Sequence, residues 1–421
     1  MLKNYKKILM FFNYLLTAFI LFFNRAFIGI GVFGYRIGEI LVGICLFLSI
    51  LYLVSNQKFL NEFLKIPKIL HLFIKAVFLL TILRITTEIM ISQSFQIEFI
   101  RYSSYVWTLI FLFNFKNFQK ITKISPKIFV VILFLLYFLQ LSGYPEIILN
   151  LFQTYSDKII FFKPADLFIG VVFLYTFLSL NSKNKYNILI LVFYLPMFLF
   201  LSRGSFLGIT VFTIFIFYET YKKQDLSVFF KIISLSIVVF YISSTLITYD
   251  VKNNENSNLN IIYTNTQQSV INTIVENKNF DNTAKISIQN KRLYSSDNNI
   301  NWRLQIWQDE IIYTIDNNIF FGNGFFDIME SMKLDFRKGF DKQNIYPHNF
   351  FITIFSTGGI IYLILFCFIY FYIFLSTKNL QIKAVLLSGL IVACFDVAME
   401  GVQYPFMFYL TLGILLEKSN K

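Results

Sequence analysis

His348 stands between Pro347 and Asn349 at the head of a long apolar run, in the stretch "YPHNFFITIFSTGG" (residues 346–359), and is one of only two histidines in the chain. A neutral imidazole there can take the proton of an attacking hydroxyl, so His348 is the candidate general base. Asn349 beside it suits a helix cap, and the positive end of the following helix disfavours imidazolium near neutral pH. The competing reading is a histidine simply hydrogen-bonded at a helix start. His71, inside another apolar run, reads as structural.

The chain has eight arginines against 29 lysines. Guanidinium is a permanently charged planar fork that matches phosphate bidentately, whereas lysine suffices for a point charge. In "FLSRGSFLG" one run ends at Ser202 and another begins near Ser205. Gly204 is expected to permit a tight turn there and Ser205 to cap the new helix, whose free N–H groups seat a phosphate beside Arg203. Arg303 lies in "NWRLQIWQDE", and Arg84 and Arg101 flank a shorter connection. These four are expected to bind an oxyanion such as phosphate. The alternative is snorkelling to lipid headgroups, or ion pairs with Glu88, Glu98, Asp309 and Glu310. Asp396 and Glu400, four residues apart in an apolar run, are expected to share a helix face and to orient His348 or the arginines, with plain salt bridging the alternative. No metal constellation is visible and no cofactor motif: "GNG" at 322–324 is only a turn signal.

The elements that must carry these residues follow from composition. The chain is 56% hydrophobic with 54 phenylalanines, more apolar surface than a water-soluble domain of 421 residues can hide. Apolar runs fall at about 8–24, 38–54, 69–90, 98–115, 127–142, 165–181, 187–202, 205–219, 228–248, 349–376, 383–400 and 403–417. In lipid such runs must be helices, so the expected fold is an all-α polytopic membrane protein of about twelve transmembrane helices. No small-x-small cleavage site follows the first run, which reads as a retained span. Cys45, Cys367 and Cys394 all lie within apolar runs, where neither a disulfide framework nor a thiolate metal site is expected.

The net charge of +13 does not indicate nucleic acid, because the lysines sit between the runs and mark membrane topology instead. With the N-terminus inside, Lys58, Lys65, Lys68, Lys116, Lys120, Lys123, Lys127, Lys183, Lys185, Lys222, Lys223, Lys378 and Lys383 all fall on inner loops. Every arginine then falls on the outer side. The expected organisation is spans one to nine in 1–248, one large outer loop in 249–348, and spans ten to twelve with a short tail in 349–421. The first half of the loop is Asn-rich and weakly periodic. In its second half Trp302, Ile306, Ile311, Ile312 and Ile315 are spaced as one helical face.

About twelve spans, "LSRGS" closing one of them, a large outer loop with "NWRLQIW", then "FGNGFF" and "PHNFFITIFSTGG", resemble the O-antigen ligase and polymerase superfamily. The resemblance implies a GT-C-like membrane glycosyltransferase at the periplasmic face of the bacterial inner membrane, independent of metal. It implies a glycan donor carried on undecaprenyl diphosphate. The acceptor is lipid A–core for a ligase, or a second lipid-linked glycan for a polymerase. It assigns the diphosphate to Arg203 and Arg303 and activation of the acceptor hydroxyl to His348. The resemblance does not separate ligase from polymerase. A lipid-linked sugar flippase is the alternative of another class, but no paired repeat is visible and the ionisable residues cluster toward the outer third.

Overall fold

Apolar runs without strong periodicity leave the backbone no partner but itself, and the chain answers with helices. The structure, a computed structural model, describes residues 2–55, 68–94, 98–118, 124–157, 163–254, 285–325, 329–337 and 345–419. Most of the Asn-rich half of the large loop, and Lys58, Lys65, Lys120 and Lys123 among the inner-loop lysines, lie outside them.

The first part of the chain holds α1 (Leu2–Ile28), a hairpin of β1 (Gly31–Val32) and β2 (Tyr35–Arg36), α2 (Ile37–Ser55), α3 (Lys68–Ser92), and the short α4 (Glu98–Tyr102) and α5 (Ser104–Trp107). A 3-10 run, Thr108–Phe118, follows, and then α6 (Pro126–Ser142), α7 (Glu146–Tyr155), α8 (Pro164–Asn181), α9 (Ile188–Leu201), α10 (Arg203–Lys223) and α11 (Leu226–Asn254). The outer segment carries the antiparallel hairpin of β3 (Ile286–Gln289) and β4 (Arg292–Ser295), then α12 (Asn298–Asn318). The chain closes with α13 (Phe350–Ser376), α14 (Leu380–Phe395) and α15 (Gln403–Ser419).

Six of these helices are long and apolar enough to cross a bilayer (within α1, α3, α8, α10, α11 and α13), and α6 with α7, bent by 79°, makes a seventh if taken as one span. The other apolar helices are shorter, α2, α9 and α14 among them. Span four differs from expectation. Residues 98–115 do not form one α-helix but two short turns followed by the tighter 3-10 run, against which α15 packs. The helices divide by environment. α8 is buried along most of its length, whereas α11 leaves Phe230, Ile237, Val238 and Tyr241 exposed, the surface expected of a helix facing lipid.

Two glycine pairs set the geometry that matters below. Gly204 and Gly208 lie one turn apart on α10 and meet α14. A Cβ on Gly204 would come within 2.8 Å of Phe395 Cβ, and one on Gly208 would overlap Val392. Gly204 thus serves close helix packing and not the expected tight turn. Gly322 and Gly359, both at positive φ (67° and 69°), face each other where the "FGNGF" loop crosses a kink in α13. There Asn323 N donates to Ser356 O (2.6 Å), Gly324 N to Thr357 O (3.0 Å) and Ile360 N to Ile319 O (2.8 Å). The loop supplies the hydrogen bonds that the kink removes from the helix.

α12 also departs from the expected face. Ile306, Glu310 and Thr314 are its buried residues, while Ile312 and Ile315 are about half exposed. The two buried polar groups are satisfied: Ser356 Oγ donates to Glu310 Oε1, Ser331 N to Glu310 Oε2 (3.0 Å), and Asn323 Nδ2 to Thr314 Oγ1 (3.0 Å). Hydrogen bonding to α13 and the crossing loop, rather than apolar matching alone, therefore fixes the rotation of α12.

Candidate active site at the helix ends

α13 begins at an Asn349 cap, whose Oδ1 accepts from Phe351 N (3.0 Å) and Ile352 N (3.2 Å), as the sequence leads one to expect. His348 precedes the cap with φ +56°, a left-handed conformation uncommon for a residue with a side chain. Its ring packs edge-on to Trp302 of α12 (centroids 5.2 Å apart), and Nδ1 lies 3.9 Å from Asp396 Oδ1. Both ring nitrogens are buried, and neither has a hydrogen-bond partner among the described residues. Burial lowers the His348 pKa to about 4; Asp396 pulls the other way, while Lys163, Arg303 and Arg25 reinforce burial. Desolvation is the main reason that the imidazole stays neutral, and the surrounding cations add to it.

Asp396 and Glu400 do not share a helix face. α14 stops at Phe395, and Asp396 is its C-cap residue, accepting a bond from Val397 N (2.8 Å). Glu400 sits in the non-helical link to α15. A carboxylate just past the helix end bonds to the next backbone N–H and so turns the chain out of the helix. Glu400 is instead held by Thr353, one turn into α13, whose Oγ1 donates to Oε1 (2.8 Å). Its Oε2 is buried without a partner, and burial raises its pKa to about 7. Burial alone would raise Asp396 as well, but Lys163, His348 and Arg303 outweigh it and hold that carboxyl below the usual range.

The arginines separate into engaged and unengaged. Arg84 Nε donates to Glu88 (2.6 Å) and its NH2 to Gly322 O (3.2 Å), while Glu88 accepts from Phe325 N; Arg84 therefore ties the "FGNGF" loop to α3. Arg101 forks onto both oxygens of Glu39 (2.7 and 3.2 Å). Neither is brought to His348 by these contacts. Arg25 pairs with Asp166 (3.8 Å), Arg36 with Asp157 (2.6 Å), and Arg292 and Arg337 with Asp309. Only Arg303 makes no salt bridge with a described residue. Its Nε is buried without a hydrogen-bond partner, within electrostatic reach of Asp396, Asp297 and Arg203.

Arg203 is the first residue of α10 and largely exposed, with NH1 3.1 Å from Asp297 Oδ2. Asp297 caps α12 by accepting from Asn299 N (2.9 Å) and Ile300 N (3.0 Å), so one carboxylate links Arg203 to the helix that carries Arg303. Ser205 is not the cap of α10. Ser202 is, its side chain accepting from Ser205 N, while Ser205 Oγ is buried and unpaired.

The sequence reading overlooked Lys163, Asp166 and Gln403. Lys163 lies just before α8, makes no salt bridge with a described residue, and is within electrostatic reach of Asp396, Glu400 and Asp166. Asp166 accepts from Gln403 Nε2 (3.3 Å) across the α8–α15 contact. The available signal was "KPAD": a lysine on the outer side against the positive-inside trend, placed at a proline-led helix start.

His348, Arg303, Arg203, Asp396 and Lys163 thus come together from five parts of the chain. They offer a neutral base with a carboxylate behind it, and cations with open donors. No curated protein matches the chain. Residues 188–367 do match the O-antigen ligase family model, and that stretch, which carries Arg203, Arg303 and His348, is similar to the O-antigen ligase and polymerase superfamily.

Proposed function

We propose that this protein is an O-antigen ligase-like glycosyltransferase. It moves a glycan from undecaprenyl diphosphate to an acceptor hydroxyl at the periplasmic face of the inner membrane, without a metal. The acceptor is lipid A–core, or a second lipid-linked glycan if the protein is a polymerase. The observation that carries the reading is the pairing of Arg303, whose buried Nε has no partner among the described residues, with a partly buried, neutral His348 backed by Asp396.

The acceptor oxygen attacks the anomeric carbon of the donor sugar, and the bond from that carbon to the diphosphate breaks, its electron pair leaving with undecaprenyl diphosphate. Arg303, with the exposed donors of Arg203, meets the charge that develops on the leaving group. Nδ1 of His348 faces Asp396, so Nε2 is the atom that receives the hydroxyl proton, and Asp396 balances the imidazolium formed. Lys163 adds a further cation to the same region.

The test is reconstitution of the purified protein in liposomes with an undecaprenyl-diphosphate-linked glycan and each acceptor in turn, with and without a chelator. Transfer that survives chelation and is lost in Arg303→Ala and His348→Ala supports the reading. Absence of transfer to either acceptor overturns it. The glycan profile of a deletion strain then separates the two activities. Unligated long polymer marks a ligase, and a single repeat on lipid A–core marks a polymerase.

A further inference from the structure

A cavity of about 690 Å³ opens among the end of α1, the β1–β2 hairpin, the start of α2, α4–α5 and the link between α14 and α15. His348, Arg203 and Arg303 do not line it. It adjoins their site through Lys163, Tyr346, Val397 and Glu400. Its volume is that of a ligand pocket and not of a packing defect.

The lining differs in chemistry from the region around Arg303. Four cations, Arg25, Arg36, Arg101 and Lys163, face four acids, Glu39, Glu98, Asp157 and Glu400, so the cavity is charge-balanced. Arg101 and Arg36 are already matched by Glu39 and Asp157. Little charge is left over for a diphosphate, but planar acceptors and donors converge on one space, with Tyr102, Trp107 and Tyr346 presenting aromatic surface. Multiple hydroxyls on a largely uncharged ring, with apolar C–H faces, suit such walls. The second observation is Glu400. Glu400 lines the cavity while only 5% exposed, and its buried Oε2 has no hydrogen-bond partner among the described residues, although Oε1 is held by Thr353. A buried, unsatisfied carboxylate oxygen is costly unless a ligand completes it.

We infer that this cavity is a saccharide site for the non-reducing end of the acceptor, in which Glu400 accepts a hydrogen bond from a sugar hydroxyl. The inference rests on the glycosyl-transfer reading for the word acceptor, but not for the saccharide. The link 396–402 then separates two subsites. The side of Arg303 and Arg203 receives the diphosphate, and the cavity at Glu400 receives the body of the incoming sugar, whose attacking hydroxyl reaches past Val397 toward Nε2 of His348.

Gly43 provides the test, because it lines the cavity from α2 and a Cβ added there meets nothing within 4 Å. Gly43→Phe projects a ring into the space, and Gly43→Ala controls for helix effects. The purified protein in detergent is titrated with two lipid-free oligosaccharides from the host bacterium, the core oligosaccharide and the surface-polysaccharide repeat unit. Tryptophan fluorescence is the readout, since Trp107 lines the cavity. Saturable binding of either sugar is expected in the wild type and Gly43→Ala. Gly43→Phe and Glu400→Gln should weaken it at least about tenfold. No binding of either sugar, or equal binding in Gly43→Phe, overturns the inference. So does a Gly43-sensitive signal obtained only with phosphatidylglycerol or undecaprenyl phosphate micelles, which would make the cavity a lipid site. If the sugar binds in this pattern but the reconstituted enzyme transfers nothing to it, the saccharide site stands and the transferase reading falls.

Discussion

His348 can be asked for its protonation state directly. Burial places its pKa at about 4, so the base is available at neutral pH and is lost only as the pH falls through that value. The rate is therefore expected to hold steady down the mildly acidic range and to drop near pH 4, rather than near the 6.5 of an ordinary histidine. His348→Ala should cost about 10²- to 10⁴-fold in rate and abolish that limb, with protein abundance measured on the same membranes. A variant that folds and turns over normally sinks the role. At the neighbouring position, Arg303→Lys keeps a charge but loses the fork, and a fall of roughly tenfold or more is expected. Arg203→Lys should cost less, because Arg203 is exposed and shares its guanidinium with Asp297. His348 and Arg303 could be picked from the sequence as candidates by residue type, and the structure brings them within electrostatic reach of each other. Lys163 and Gln403 were not, since nothing local marks a side chain whose partners arrive only when α8 packs on α15.

The long helices were legible almost to the residue where a continuous apolar run left the backbone no alternative: 165–181 was expected and Pro164–Asn181 is found, and 349–376 became Phe350–Ser376. Legibility failed where an apolar run continues but the helix does not. The 98–115 run reads as one span, yet breaks at Ser103 into short turns and a 3-10 segment. The 383–400 run hides a helix end at Phe395, because composition carries no record of the Asp396 cap. The kink in α13 was equally hidden in "STGG", since its cause is the distant "FGNGF" loop. That junction makes a prediction of its own. Gly359 has φ +69°, and a Cβ there would overlap the backbone of Phe320 and Gly322. Gly359→Ala is expected to cost on the order of 1–3 kcal/mol, read as a lower melting temperature by thermal size-exclusion chromatography. Gly43→Ala, in open space on α2, should leave the melting temperature unchanged or raise it. Equal melting temperatures for Gly359→Ala and the wild type would show that the junction does not constrain the helix.

At the scale of the whole molecule, the helices, the charge and the site must agree on one orientation in the membrane. In the proposed topology α11 leads out of the bilayer toward β3, β4 and α12, which follow it in the chain, and α13 re-enters with His348 at its head. In that topology the inner loops carry lysine and no arginine, which is what the positive-inside trend expects of a cytoplasmic side. Ser287 lies on β3 in the exposed hairpin of that segment, away from the residues assigned to chemistry. Ser287→Cys is therefore expected to react with a membrane-impermeant maleimide in intact spheroplasts. The native cysteines are a workable background: Cys45 is buried, and Cys367 lies within α13, on a surface the membrane covers in this reading. Wild-type protein measures the contribution of Cys394. A cysteine added to an inner loop, at Ser182, should label only after the membrane is broken. The reverse pattern would place His348 and Arg303 on the cytoplasmic side, and a transferase working on exported, lipid-linked glycans could not use them there. Labelling at both positions without breakage would mean that the spheroplasts leak, which a cytoplasmic marker enzyme detects in the same sample. The orientation is thus decided by the contrast between Ser287 and Ser182, and with it whether the buried base and the unengaged arginine face the compartment that the reaction requires.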